Sequence, residues 1–323
     1  MNSATTLKSY IEDHIHSLGY DQKEPKNLYA PIHYILTLKG KRIRPILLLM
    51  AYEAVSGNDA TQALNLASTV ECFHNFTLMH DDIMDQAPVR RGQPSVHIAW
   101  DENTAILSGD ALFALSMEMV VIDFPQHAPQ LVKLFSRIAT EVCEGQTEDM
   151  DMANTDEVDI PQYLEMIRKK TAVLLGGCMS LGAIAGGAGE EVVSAFYRFG
   201  ESLGMAFQLQ DDLMDAFPPE GFGKQVGGDI KENKKTFLLL KALENADASQ
   251  LAQLEEAINM DAENPQKVDS VLKLYTELCI PKHTKGMIEN YIKEAKNLAE
   301  TLSSHTSFSM LKSYISAIAN RQF

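Results

Sequence analysis

Residues 80 to 91 read HDDIMDQAPVRR, and residues 208 to 215 read QLQDDLMD. Each stretch holds the pattern Asp-Asp-x-x-Asp: Asp81, Asp82 and Asp85 in the first, Asp211, Asp212 and Asp215 in the second. Helical periodicity puts both groups in the last turns of long helices. There the macrodipole is negative, so cations are favoured and carboxylates are not. Within each group the acids stand at i,i+3 and i,i+4 spacing, on neighbouring surface positions, and repel one another. One such group is explained by solvated acids at a helix end. Two matched groups, each followed by bases, call for a multivalent cation that relieves both conflicts. Hard carboxylate oxygens select Mg²⁺, Mn²⁺ or Ca²⁺ over zinc, and Mg²⁺ fills its remaining positions with water and substrate phosphate. Bases suited to phosphate follow each group: Arg90 and Arg91 after the first, Lys224, Lys234 and Lys235 after the second. The stretch KGKRIRP adds Lys39, Lys41, Arg42 and Arg44, which taken alone is a solvated basic turn.

The elements that must carry these residues are helical. No succession of alternating strands is present. A short helix is expected over 28–38, and another opens in IRPILLLMAYEAVSG with Pro45 near its start and Gly57 past its end. The next, capped by Asn58 or Thr61, runs to the first acidic group with Leu66, Val70, Phe73 and Thr77 along one stripe, and Pro88 ends it. TAILSGDALFALSMEMVVI is apolar almost all round, which places it inside a bundle. Helices over 129–153 and 161–186 follow, the second with Asp159 and Pro161 at its start. A long helix from about 190 to 216 carries Val192, Val193, Phe196, Phe199, Leu203 and Phe207 on its apolar side, and Pro218 and Pro219 stop it. PPEGFGKQVGGDIKENKK reads as a Gly-rich basic loop, and helices resume at Phe237. With no linker, low-complexity tract or clear repeat, residues 1–323 are expected to form a single all-α domain.

Composition narrows the function. A chain of 323 residues, 45% of them hydrophobic, supports a sizeable core. The net charge of −16 argues against a duplex nucleic-acid binder, which would show a basic footprint. It leaves room for a local basic pocket that takes a small anion. The four cysteines form no CxxC pair, and buried, reduced thiols in a cytoplasmic protein are expected. The first twenty residues lack an apolar core of the signal-peptide kind, and no run of 18 apolar residues predicts a membrane span.

The ordered set of motifs resembles the trans-isoprenyl diphosphate synthases, the family of farnesyl and geranylgeranyl diphosphate synthases. The matching pieces are GKRIRP at 40–45, HDDIMD with RRGQPSVH to 97, GD at 109–110, EGQTED at 144–149, YLEMIRKKT at 163–171, FQLQDDLMD at 207–215 and GKQVGGDIKENKKT at 223–236. The resemblance implies an isoprenoid-synthase-type helical bundle with a deep central cavity. It implies a Mg²⁺-dependent head-to-tail condensation of isopentenyl diphosphate with an allylic diphosphate (dimethylallyl, geranyl or farnesyl), in a homodimer. Three Mg²⁺ per active site are implied, with Mn²⁺ as a substitute. They would be held by Asp81, Asp85 and Asp211, with Asp82 and Asp215 in lesser roles. Arg90, Lys170, Lys224 and Lys234 would meet the allylic diphosphate, and Thr171 and Gln208 would steady the allylic cation. Lys41, Arg44, His74 and Arg91 would bind isopentenyl diphosphate, with Arg321 closing over that site. No Ser–His–Asp or Cys–His set is recognisable, which agrees with a substrate that supplies its own electrophile and base.

Product length falls to Phe76 and Thr77, one turn or so before Asp81. In the family, an aromatic at the farther position with an uninserted motif goes with a twenty-carbon product. Geranylgeranyl diphosphate is therefore favoured, with farnesyl diphosphate next and Met117 as a deeper candidate floor. A terpene cyclase would not need the second basic site, and a non-catalytic subunit tends to lose one acidic group. A di-iron bundle needs two Glu-x-x-His motifs, and ECFH at 71–74 supplies one.

Overall fold

A computed structural model describes residues 2–155, 157–219 and 226–303. Two residues singled out above, Lys224 and Arg321, lie outside the described residues. The helices, in chain order, are α1 (Ala4–Ser17), α2 (Lys26–Thr37), α3 (Ile43–Ser56), α4 (Leu64–Met84), α5 (Val96–Ala99), α6 (Glu102–Met119), α7 (Ala128–Ala153), α8 (Ile160–Ile167), α9 (Val173–Ala185), α10 (Glu190–Ala216), α11 (Gly228–Lys231), α12 (Phe237–Asn245), α13 (Ala248–Ile258), α14 (Pro265–Glu277) and α15 (Ile280–Ser303). Among the described residues the strands are one two-residue pair, β1 (Val89–Arg90) against β2 (Gln93–Pro94), antiparallel with Arg90 opposite Gln93. The all-α expectation holds.

The described residues divide into two compact units. The first comprises 2–137, 177–197 and 299–303, and the second 138–176 and 198–298. In the first, α4 is the central element, packed against α6, α3 and α1. Every residue from Leu66 to Phe73 is buried, so this stretch is enclosed on all sides rather than along one stripe. The helix expected to be enclosed, α6, is not: Ala105, Ser108, Gly109, Leu112, Ser116 and Met119 face inward, while Ile106 and Leu107 are 37% and 61% exposed. Overall apolarity does not say which face is covered, and the small residues at 105, 108 and 109 mark the packed one. In the second unit, Tyr163, Leu209, Leu213, Phe237, Leu238, Leu254, Leu274 and Tyr275 form the centre of the core.

Local chemistry sets the helix boundaries. Gly57 ends α3 at φ 70°, a left-handed conformation that glycine adopts without a Cβ penalty. Asp59, not Asn58 or Thr61, caps the turn before α4, accepting the Thr61 N–H at 2.8 Å. Asp159 and Gln162 close a capping box around Pro161, as their order predicts. The helix expected over 161–186 is not continuous: residues 168–172 widen into a π turn between α8 and α9. Of the cysteines, Cys72 and Cys178 are buried as expected, but Cys143 and Cys279 are exposed, because α7 and the turn between α14 and α15 present them to solvent.

Close backbone approach fixes the first unit at Gly182. A Cβ built there would stand 2.2 Å from the Leu48 carbonyl oxygen, so α9 and α3 touch backbone to backbone. Gly189 has nothing within 4 Å of the corresponding position. Gly182→Ala is expected to destabilise the protein by about 1–3 kcal/mol in urea unfolding, the usual range for overpacking. Gly189→Ala meets no atom and is expected to cost less, at most about 1 kcal/mol, because glycine is preferred over alanine just before a helix start. Equal effects would contradict the packing argument.

Candidate active site

The stretch KGKRIRP does not form a solvated turn. Arg42, at φ 53°, turns its side chain into the first unit, where it is 3% exposed. Its Nη1 donates to Glu71 Oε1 at 2.5 Å, and its Nη2 donates to the carbonyls of Leu36 at 2.6 Å and Leu38 at 3.0 Å. Asn75 Nδ2 adds a donor to Glu71 Oε1 at 3.1 Å. The buried pair fastens the start of α3 to the middle of α4. Removing one partner of such a pair costs about 3–5 kcal/mol, because the other charge is left buried.

Two turns of chemistry hang from that anchor. Arg44 Nη1 donates to His74 Nε2 at 3.1 Å, so the ring accepts at Nε2 and stays neutral. Burial and then the charges of Arg44, Arg91, Arg90 and Arg42 hold His74 well below its ordinary range. Arg91, at φ 54°, lays its guanidinium against Gly40, where a Cβ would be 3.1 Å from Nη1. That Nη1 is buried and has no hydrogen-bond partner. Burial holds the Arg91 guanidinium below its ordinary value; Glu71 opposes this, and Arg42, Arg90 and Arg44 add to it. Lys41 stands exposed in the same stretch. The expected cluster of Arg44, His74 and Arg91 is thus assembled, with Arg42 and Glu71 as the members that spacing did not reveal. Glu71 and His74, the half-motif of a di-iron centre, are each engaged by an arginine.

The first acidic group ends α4. Asp82 is fully buried and accepts from Arg90 Nε at 2.8 Å and from Arg90 Nη2. Its other oxygen is buried without a partner. Burial raises the Asp82 carboxyl, against the Arg90 bonds and charge that lower it. Arg90 also lies 4.0 Å from Asp81, and Asp85 is exposed at the C-cap, its N–H bonded to the Asp81 carbonyl at 2.8 Å. Just upstream, the Phe76 ring packs against Phe73, His80 and Phe113, with centroids 5.6, 4.8 and 5.2 Å away. Thr77 turns its hydroxyl back to the His74 carbonyl at 2.8 Å. Gly109 explains the GD piece: a Cβ there would be 2.4 Å from His80 Nε2, so the ring of the first motif passes over it.

In the second unit the π turn carries Arg168, Lys169, Lys170 and Thr171. Arg168 pairs with Glu141, Glu165 and Glu201 at 3.3, 2.8 and 3.0 Å, Lys169 with Glu148 at 2.5 Å, and Lys170 with Asp149 at 2.6 Å. Gly145 on α7 admits the turn, since a Cβ would be 2.3 Å from the Lys170 backbone nitrogen. Such single-turn widenings recur at functional sites because they shift the side-chain register of a helix. Thr171 Oγ1 donates to Gln208 Oε1 of α10 at 3.1 Å, Gln208 Nε2 donates to Asp212 Oδ1 at 3.0 Å, and the Tyr163 hydroxyl of α8 donates to Asp212 Oδ2. Burial pushes Asp212 up to about 7; the Tyr163 bond opposes this, and Asp229 adds to it. Asp215 Oδ2 accepts the Asp229 N–H at 3.0 Å. Burial, then Asp215, push Asp229 up to about 6, with Lys234 opposing from 3.7 Å. Lys235 is turned away to the Met152 carbonyl at 2.7 Å. Tyr163, Asp149 and Asp229 were not singled out from sequence, although each lies in a motif that was.

Among the described residues no three His, Cys, Asp or Glu side chains gather into a ready-made metal cage. The donors present are carboxylates, and Asp82 has a spare buried oxygen. That set fits a cation that takes one or two carboxylates and completes its shell with water and phosphate, the habit of Mg²⁺.

The profile of the polyprenyl synthetase family matches residues 25–275. The chain is 37% identical over 281 residues to the geranylgeranyl diphosphate synthase of Methanosarcina mazei, covering 86% of this chain and 85% of that one. It is 39% identical over 239 residues to the geranylfarnesyl diphosphate synthase of Natronomonas pharaonis, covering 68% and 70%. Among solved structures, a geranylgeranyl pyrophosphate synthase superposes with a TM-score of 0.93 at 42% identity over 99% of each chain. The geranylgeranyl pyrophosphate synthetase of Pyrococcus horikoshii superposes with a TM-score of 0.88 at 31% identity, over 98% of this chain and 96% of that one.

The depressed His74 has a consequence for stability. Its folded-state pKa lies below the unfolded value, so the unfolded chain takes up the proton first and stability falls as pH drops below the ordinary histidine range. Between pH 7 and 5.5, wild type is expected to lose more unfolding free energy than His74→Gln, by up to about 1.4 kcal/mol per pH unit. Parallel losses in urea titrations of the two proteins would show that His74 does not carry this effect.

Proposed function

The chain belongs to the polyprenyl synthetase family, and from that premise we propose that it condenses isopentenyl diphosphate with an allylic diphosphate to make a short-chain trans-prenyl diphosphate. The observation that carries this reading is the basic cluster of Arg42, Arg44 and Arg91 beside an acidic helix end. A buried guanidinium nitrogen with no partner in the protein is costly unless an anion meets it. The carboxylates that end α4, the helix of Glu71 and His74, suit a metal-borne diphosphate. On this reading one chain has two chemically distinct anion sites, one metal-free and one metal-dependent, as a reaction joining two diphosphates requires.

The assignment of roles follows. Mg²⁺, three per site, is held by Asp81, Asp85 and Asp211, with Asp82 and Asp215 supporting. When bound it supplies positive charge to the diphosphate that departs. Arg90, Lys170, Lys224 and Lys234 bind that allylic diphosphate. Lys41, Arg44, His74 and Arg91 hold isopentenyl diphosphate, whose double bond attacks the allylic carbon. The departing diphosphate takes the proton released. Residues 1–323 act as one all-α domain, a reading supported by a single family match that runs through both compact units. The protein works in the cytoplasm; no described helix is long and apolar enough to cross a membrane. It acts as a homodimer, with Ile98, Ile106 and Leu107, all more than a third exposed, as the face that a second copy covers.

Incubation of the purified protein with labelled isopentenyl diphosphate and an allylic diphosphate is expected to give prenyl diphosphate with Mg²⁺ and none with excess chelator. Asp81→Ala and Asp211→Ala are each expected to lower turnover by about 10²-fold or more with unchanged helical content, the usual cost of losing a transition-state charge partner. Full turnover in chelator would sink the metal-dependent reading.

Geranylgeranyl diphosphate is the favoured product. The pair Phe76–Thr77 before an uninserted acidic motif supports it, as do the names of several relatives. Phe76, packed on Phe113 of α6, is the candidate floor for the growing chain. Phe76→Ala is expected to lengthen the product by one or more isoprene units, read by chromatography of the dephosphorylated alcohols. An unchanged distribution with activity retained would remove Phe76 from that role.

A further inference from the structure

The three acids of the second group are not placed alike. Asp212 is 5% exposed, and both of its oxygens are taken by donors from within the protein: the Tyr163 hydroxyl at Oδ2 and Gln208 Nε2 at Oδ1. Tyr163 is itself 2% exposed in α8, and burial, then the charge of Asp212, hold its phenol well above the ordinary range, so it keeps its proton and donates. Gln208 Nε2 donates to Asp212, so the amide turns its NH₂ towards Asp212 and its oxygen away. That oxygen meets Thr171 Oγ1 at 3.1 Å. The hydroxyl therefore gives its hydrogen to Gln208, and its lone pairs are not spent in this bond. Every dipole from Tyr163 to Thr171 is given one direction.

We propose that Tyr163 and Asp212 are a positioning pair for the condensation, and that Asp212 orients Gln208 and Thr171 instead of ligating metal. The proposal rests on the condensation reading above, together with the place at the allylic cation that the family resemblance implies for Gln208 and Thr171. The network holds the oxygens of those two side chains with their negative ends fixed, before the cation forms. Such preorganised dipoles stabilise developing charge without reorganising at the moment of reaction. Loss of the Tyr163 hydroxyl frees one Asp212 oxygen and lets the carboxylate rotate. Asp212→Asn places an NH₂ in the network, which allows the Gln208 amide to reverse and offer a donor to Thr171.

The test compares Tyr163→Phe, Asp212→Asn, the double variant and Asp211→Asn. Three readings are taken: kcat and KM for isopentenyl diphosphate; the fraction of allylic substrate released as the alcohol; and Mg²⁺ affinity by calorimetry with inorganic diphosphate present. Tyr163→Phe is expected to lower kcat about tenfold, the loss of one oriented hydrogen bond. KM for isopentenyl diphosphate and Mg²⁺ affinity should not change, and the alcohol fraction should rise as water competes for a less well-held cation. Asp212→Asn should do the same, with the double variant no worse than the poorer single one, and Asp211→Asn should be the variant that weakens Mg²⁺ binding. Weakened Mg²⁺ binding in Asp212→Asn, or normal kcat and alcohol fraction in a folded Tyr163→Phe, would overturn the proposal while leaving the condensation reading intact. Absence of condensation by the unmodified protein would overturn both.

Discussion

Like charges crowded into one place are the constraint on which the rest depends. At the start of α3, Arg42, Arg44 and Arg91 converge about His74, and Glu71 is the carboxylate that makes the cluster tolerable from within. The Arg42–Glu71 pair is dry, so its charges are worth most to one another and cost most if separated. Arg42 and Arg91 accept a left-handed backbone to reach their places, and Gly40 leaves room for the Arg91 guanidinium. These local costs are understandable if the surplus positive charge has an anion to meet.

The acids obey the same logic with the sign reversed. Asp81, Asp82 and Asp85 end α4 against its dipole, and Arg90 neutralises part of their charge from the hairpin that follows. Asp211, Asp212 and Asp215 end α10, and there Tyr163, Gln208 and the Asp229 N–H take part of the load. Within each group burial is unequal: Asp82 is buried and Asp85 exposed, Asp212 is buried and Asp211 partly open. Asp82 nonetheless keeps one buried oxygen without a hydrogen-bond partner, so burial alone does not remove it from the acids able to meet a cation.

Much of this was legible in the sequence. Helix ends and acid spacing follow from local rules, so the placing of both acidic groups at helix C-termini was foreseeable, as was the capping box at Asp159. What was not legible depends on contacts distant in sequence. KGKRIRP reads as a solvated turn until Glu71, twenty-nine residues on, is seen to draw Arg42 inside. The π turn at 168–172 has no signature in a run that continues as helix on both sides; Gly145, a residue of α7, makes room for it. The bond from Tyr163 to Asp212 joins residues forty-nine apart, in two helices whose packing no periodicity reveals. The covered face of α6 was misjudged because apolarity alone does not distinguish a buried face from one left for another surface.

The central claim is that one chain binds two diphosphates by different chemistry, one through metal and one through arginine. Calorimetric titration of the purified protein with inorganic diphosphate, with and without Mg²⁺, tests it most directly. One class of binding is expected to need Mg²⁺ and to be lost in Asp81→Asn, and a second to persist in chelator and to be lost in Arg91→Ala. Identical binding curves with and without Mg²⁺ would contradict it.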